Sequence, residues 1–347
     1  MSLPLMLVGS VPLADSESVF TAASRYLGER LARFPDGETG VRRNWIAWQF
    51  PVFASLATLE QTGTKAREYQ LHPPFRLRDG YRAADIRFPP LGFARDANAS
   101  FGAFRRLKRD GVIHRDARFM VALPTPWAPV YSYIEYEHQQ AVESMYERAL
   151  LKELGSILSA LPHDELAIQW DVATEISWWE KVYPAPFGNI EEGVLAELKR
   201  LGDAVPSTVE LGFHLCYGSM NNRHWKEPAD TGVLVAIANG LFKAVSRGID
   251  FLHMPVPINR HDDAYFAPLA ALDANEDCEI YLGLLHLEDG VDGALRRMRT
   301  AFKFRQRFGI ACECGLGRRP PESVAPWLAL HEDVARAAEE SLLQDTP

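Results

Sequence analysis

Short apolar runs alternate with longer amphipathic ones along most of the chain. The runs at 4–9 (PLMLVG), 118–123 (RFMVAL), 166–170 (LAIQW), 208–215 (TVELGFHL), 248–254 (GIDFLHM), 278–285 (CEIYLGLL) and 308–313 (FGIACE) read as strands. A helix is expected from Asp15 to about Arg33, with Asp15 or Ser16 as its cap. A long polar helix is expected from about Ile134 to Leu161, stopped by Pro162. Further helical stretches fall near 190–203, 228–247, 262–272, 290–307 and 322–342. Near-continuous apolar strands separated by helices imply a parallel sheet covered on both faces. Counting the short ARFPDG segment near residue 34 gives eight strands, and eight such units predict an α/β fold, a (β/α)8 TIM barrel occupying 1–347 as one domain.

One stretch breaks the rhythm. From Val41 to Ala117 the chain is rich in Arg, Pro and aromatic residues, as in HPPFRLRDGYRAADIRFPPLGF. It is expected to be a large insertion after strand two, partly helical and partly irregular, lying over the C-terminal mouth of the barrel. Long insertions there shape the site.

Composition narrows the function classes. The 347 residues are 47% hydrophobic and 24% charged, with a formal charge of -9. That balance offers no electrostatic footprint for nucleic acid or an anionic membrane. No apolar run approaches the roughly 18 residues of a membrane span. The N-terminus lacks the basic n-region of a signal peptide. The four cysteines, Cys216, Cys278, Cys312 and Cys314, are too few for a disulfide framework in a chain of this length. A cytoplasmic location is therefore expected, with cysteines that are buried, metal-bound or catalytic.

Barrels of this kind do their chemistry at the C-terminal ends of the strands. Those ends carry Ser10, then Glu38, Asp171, His214 with Cys216, His253, His286 with Glu288, and Cys312 to Cys314. His214 and Cys216 are two apart, so on a strand they share a face. Curvature can bring Cys314 beside them, and one imidazole with two thiolates is a soft donor set suited to zinc. Packing is the competing explanation, with His214 a satisfied core histidine and the cysteines apolar fillers. Glu38 and Asp171 suit a substrate ammonium, or else an internal salt bridge to Arg42 or Arg43. Ser10 suits a ligand-binding hydroxyl or a turn cap.

Six segments, in order, sharpen these alternatives: VGSVP (8–12), DGETGVRRNW (36–45), LPTPW (123–127), IQWD (168–171), FHLCYGS (213–219) and CECGLGRR (312–319). Together they resemble the C-terminal catalytic barrel of the cobalamin-independent methionine synthase family. The resemblance implies zinc held by His214, Cys216 and Cys314. It implies that Ser10, Glu38 and Asp171 hold the amino-acid end of homocysteine or a related amino thiol. The activity it implies is zinc-dependent methyl or alkyl transfer to that thiol, with the donor, folate or corrinoid, undetermined.

The departures matter as much. The family's fourth ligand, a Glu on strand six, falls on Pro255; either His253 substitutes for it or the site has three protein ligands plus water or substrate. The family's strand-seven Asp and acid His fall on His286 and Glu288, which are the expected proton donors. The family's Asp-Glu-Pro becomes Asp171-Val172-Ala173, with Glu175 further on. The length matches one barrel rather than the family's two, so the aromatic, basic insertion is expected to be a lid, an oligomer contact or a surface for another methyl donor. Two other classes stay open: a zinc enzyme acting on an epoxide, ether or thioether, and a non-catalytic relative. Uroporphyrinogen decarboxylase has the same broad barrel without zinc, and the Cys and His set argues against that reading.

Overall fold

The strands β1 (Leu5–Met6), β2 (Arg33–Pro35), β5 (Arg118–Pro124), β6 (Leu166–Val172), β7 (Glu210–Leu215), β8 (Phe251–Pro255), β9 (Glu279–Leu285) and β10 (Gly309–Cys312) form one parallel sheet in a computed structural model. It describes residues 3–63, 72–218, 220 and 223–344. The sheet order is β1-β10-β9-β8-β7-β6-β5-β2, and the bridges Leu5–Leu31 and Ser10–Gly37 bring its two edges together into a nearly closed barrel. The helices that flank it are α1 (Ser16–Leu27), α3 (Phe93–Arg109), α5 (Tyr136–Ala160), α7 (Ile190–Asp203), α8 (Gly232–Ala244), α10 (Gly290–Phe302) and α11 (Val324–Gln344). Short helices α2 (Phe50–Ala54), α4 (Trp127–Tyr133), α6 (Thr174–Trp179) and α9 (Asp263–Phe266) and the antiparallel hairpin β3 (Leu59–Gln61)–β4 (Phe75–Leu77) lie in the connections. This is the TIM-barrel-like α/β fold expected from the strand rhythm. Among the described residues, no helix is long and apolar enough to cross a membrane.

Strand alternation builds two cores. Met6, Val8, Met120, Ala167, Phe251, Tyr281 and Ala311 fill the barrel interior, while the larger apolar set packs between strands and helices. Gly212 is required inside, because a Cβ there would lie 2.1 Å from the Phe251 ring. The N-terminal end is plugged by Arg33, which pairs with Glu210 and Glu279 at 2.6 Å each and lies over Phe251. Helix α1 starts where expected, with Asp15 accepting from the Ser18 N–H at 2.8 Å. It ends earlier than expected, at Leu27, because Gly28 turns to φ 52°.

The stretch expected as one insertion divides in two. Residues 40–92 are the irregular excursion, apart from 64–71, which lie outside the described residues. Helix α3 instead packs against α1 and α5 as the covering helix between β2 and β5, burying Ala97, Phe101, Phe104 and Leu107. The excursion is fastened to the barrel by buried polar contacts. The Tyr146 hydroxyl donates to Gln49 at 2.9 Å and that of Tyr133 to the Ile46 carbonyl at 3.1 Å. Glu153 accepts from the N–H groups of Leu91 and Ala94 at 2.8 and 2.7 Å.

Helices α5, α6 and α7 bury three acids against one another: Glu143, Glu175 and Glu197. Among the described residues, neither oxygen of Glu197 has a hydrogen-bond partner. Burial pushes Glu143 up to about 8 and Glu175 up to about 7, and burial with the neighbouring acids holds Glu197 well above the carboxylate range. The folded chain therefore keeps protons that the unfolded chain releases near its ordinary value of 4.5. Stability contributed by these groups is greatest at low pH and declines as pH rises toward the folded values. One pKa unit is about 1.4 kcal/mol, so a change of a few kcal/mol between pH 6 and pH 9 is expected. Thermal unfolding of wild type and Glu197→Gln at both pH values checks this: the variant should show the smaller loss at pH 9. An unchanged gap would sink the assignment.

Candidate metal centre

The parallel register aligns Asp171 of β6, His214 of β7 and His253 of β8 side by side near the C-terminal end of the barrel. Two residues past His214, Cys216 is anchored by its N–H to the Val172 carbonyl at 2.8 Å. Cys314 enters from the loop after β10. Its Sγ lies 3.7 Å from both Cys216 Sγ and His214 Nε2. One donor atom from each of the three falls within 4.8 Å of the others. The sulfur of Cys314 and burial together hold the Cys216 thiol well above its usual range. Two thiolates this close repel, and a cation between them removes that penalty. One imidazole and two sulfurs at this spacing fit zinc. The other cysteines point elsewhere. Cys312 Sγ faces His331 Nε2 at 3.5 Å beneath α11, and Cys278 is buried at the start of β9.

His253, expected as a fourth ligand, does not join this group. Its Nδ1 lies 2.8 Å from His214 Nδ1 and its Nε2 lies 3.0 Å from the Cys312 carbonyl, so both ring nitrogens are engaged. Pro255 has no donor atom on its ring, and its carbonyl accepts from the Tyr265 hydroxyl at 3.3 Å.

Ser10, Glu38 and Asp171 line the same cavity as the three donors, a space of about 150 Å³ with a largely apolar wall. The Ser10 hydroxyl accepts from the Gly317 N–H at 3.2 Å, and its carbonyl accepts from the Leu316 N–H at 2.7 Å. It thus ties β1 to the Cys314 loop while leaving its own proton to donate. Glu38 sits at φ 46°, a left-handed conformation that aims its side chain along the cavity wall. Arg42 forms its ion pairs with Asp36 at 2.7 Å and Asp96 at 3.3 Å, and its charge also acts on Glu38, opposing the rise of that carboxyl. Burial raises Asp171 to about 6, against the opposing effect of His214 and of the Gln169 amide, which donates at 2.9 Å. Burial and the charge of Asp171 push Glu38 well above the carboxylate range. Two such acids on one wall attract a cationic group.

His286 and Glu288 lie elsewhere. They line a second cavity of about 330 Å³ that meets the first at Gly218, Cys314 and Gly315. His286 Nε2 donates to the Val256 carbonyl at 2.8 Å, and burial lowers its pKa, so it is neutral at pH 7. Glu288 faces Arg319 at 3.5 Å. The proton-bearing group of this cavity is His224, which lies 3.2 Å from Glu313 and 3.3 Å from Glu227. Burial opposes its protonation, yet the two acids raise it to about 9. No sequence signal marks His224, because it sits in the irregular loop after β7. Trp45, which closes the segment DGETGVRRNW, was given no role by the sequence: at φ 50° it interrupts the 3-10 run Gly40–Gln49, lines the first cavity and hydrogen-bonds Asp171.

The C-terminal mouth of the parallel barrel thus brings together a His-Cys-Cys group and two acids, Glu38 and Asp171. No family model and no curated protein matches the sequence. Solved structures do match in fold. A B12-independent methionine synthase from Shewanella sp. W3-18-1, in complex with selenomethionine, is 14% identical with TM-score 0.64, over 99% of this chain and 100% of that one. A putative vitamin-B12 independent methionine synthase from Listeria monocytogenes is 14% identical with TM-score 0.57, over 97% and 99%. A methyltransferase from Methanosarcina mazei is 12% identical with TM-score 0.57, over 96% and 94%. At such identities the likeness establishes the fold.

Proposed function

We propose that this protein is a zinc-dependent methyl or alkyl transferase of the methionine-synthase type, acting on homocysteine or a related amino thiol. The observation that carries the reading is the opening of the His214–Cys216–Cys314 group into the cavity walled by Ser10, Glu38 and Asp171. The three donors would hold zinc, which when bound lowers the pKa of a substrate thiol toward neutrality. Glu38 and Asp171 bind the substrate ammonium, and the Ser10 hydroxyl donates to its carboxylate. The apolar wall with Trp45 and Trp225 excludes water from the reacting sulfur. In the transfer, a sulfur–carbon bond forms as the carbon–donor bond breaks, and the electron pair leaves with the donor. His224, His286 and Glu288 line the adjoining cavity, where a leaving group would take its proton. His224 is the member that carries one at neutral pH.

Purified protein should retain about one zinc per chain, and less than about a tenth of an equivalent after loading would sink the metal assignment. A panel of thiols with methylfolate, methylcorrinoid and epoxide donors, read by mass spectrometry, tests the transfer. Methylation of homocysteine or a close amino thiol is the expected result. Addition of the thiol to the epoxide alone would replace the methyl reading with thiol addition.

A further inference from the structure

Both ring nitrogens of His253 are hydrogen-bonded, and those bonds constrain where the ring protons sit. The Cys312 carbonyl can only accept, so His253 Nε2, 3.0 Å away, carries the hydrogen. His253 is fully buried and has no carboxylate among its hydrogen-bond partners, which disfavours a second ring proton. Its Nδ1 is then a lone pair, and that lone pair lies 2.8 Å from His214 Nδ1. Two lone pairs cannot share such a contact, so His214 Nδ1 must be the donor. The other nitrogen of His214, Nε2, is turned toward Cys314 Sγ at 3.7 Å, and in the neutral ring it is the lone pair.

We propose that His253 is a positioning residue, which holds His214 in the Nδ1–H tautomer and so presents Nε2 as a ready metal donor. The relay Cys312 carbonyl, His253, His214 crosses from β10 to β7. It links the two segments that supply the donors, because Cys312 directly precedes the Glu313–Cys314 loop. The parallel register that pairs His214 with His253 puts both rings on the interior face at one level, which the relay requires. Partners behind a metal-binding histidine commonly fix its tautomer and orientation. Here a second histidine and a backbone carbonyl take the place of a carboxylate, so no negative charge is added beside two thiolates. The consequence for metal affinity rests on the zinc reading; the tautomer assignment does not.

Long-range proton–nitrogen NMR on the full-length protein without metal reads the tautomer directly. His214, assigned by loss of its signals in His214→Gln, should carry its proton on Nδ1. Absence of a proton on Nδ1 of His214 in wild type would overturn the proposal. Zinc and cobalt titrations then test the relay. His253→Leu should weaken metal binding about 10- to 100-fold. His253→Gln can accept from His214 through its carbonyl and donate to Cys312 through its amide, so it should restore affinity and the cobalt–thiolate absorption to near wild type. Equal behaviour of the Leu and Gln variants, with both folded by circular dichroism, would also overturn it. Absence of zinc binding with His214 in the Nδ1–H form would sink the functional reading and leave the relay standing.

Discussion

Cys314→Ser should release the metal and remove at least about 1000-fold of the transfer activity, since loss of one thiolate leaves only two protein donors. The physical reason lies in the chemistry of the replacement. A serine hydroxyl is a hard oxygen that stays protonated at neutral pH, and it cannot neutralise the cation as a thiolate does. Cys314 is also the shared partner of the group, 3.7 Å from both other donor atoms. Cys216→Ser should behave alike. The two remaining cysteines are internal controls. Cys278→Ser should leave metal content unchanged, because that thiol is buried away from the site and pushed up to about 12 by burial. Cys312→Ser should keep the metal as well, since its sulfur faces His331. Metal content after dialysis, read together with melting temperature with and without added zinc, separates the outcomes. Retention of zinc by Cys314→Ser, or its loss in Cys278→Ser, would remove the His214–Cys216–Cys314 assignment.

Most of the barrel was legible because its strands are buried on both faces and stand out as apolar runs, as in Leu166–Val172. The pairing of His214 with Cys216 was legible for a related reason, since alternate residues share a face. Bringing Cys314 to them needed closure of the sheet, which the ordered family-like segments supplied. Two placements depend on information that spacing does not carry. His253 shares the interior face of β8, but the register sets it level with His214 rather than one layer higher. Continuing that register, the residue level with Cys216 is Pro255, which has no donor to give. The apolar stripe of α3 (Phe93, Ala97, Phe101, Phe104) was masked by the Arg- and Pro-rich sequence before it, so a barrel helix was counted with the insertion. Trp45 and His224 owe their positions to loop conformation, which leaves no periodic trace.

The acid pair predicts how the substrate end of the site responds to pH. Near pH 7 Asp171, at about 6, is mostly charged, while burial and that charge hold Glu38 well above the carboxylate range. An arriving ammonium favours the doubly charged pair, so binding should lower the pair's affinity for protons. Affinity for an amino thiol should therefore rise with pH until the substrate's own ammonium titrates. Below pH 6, protonation of Asp171 should weaken binding by about tenfold per pH unit. Asp171→Asn and Glu38→Gln each remove one charge-assisted contact of roughly 1.5–3 kcal/mol, which corresponds to a rise in KM of about 10- to 100-fold. Glu38→Gln should in addition reduce the pH dependence of amino-thiol binding, because an amide does not titrate. The matching thiol without an amino group is the decisive comparison. It has no ammonium for the acids to hold, so its KM should be insensitive to both substitutions and to pH between 5 and 7. If the two thiols lose affinity in parallel, Glu38 and Asp171 maintain the shape of the cavity or the donor group rather than recognise the amine. The expected divergence between them would locate the selectivity for an amino acid in two carboxyls that burial has kept short of full ionisation.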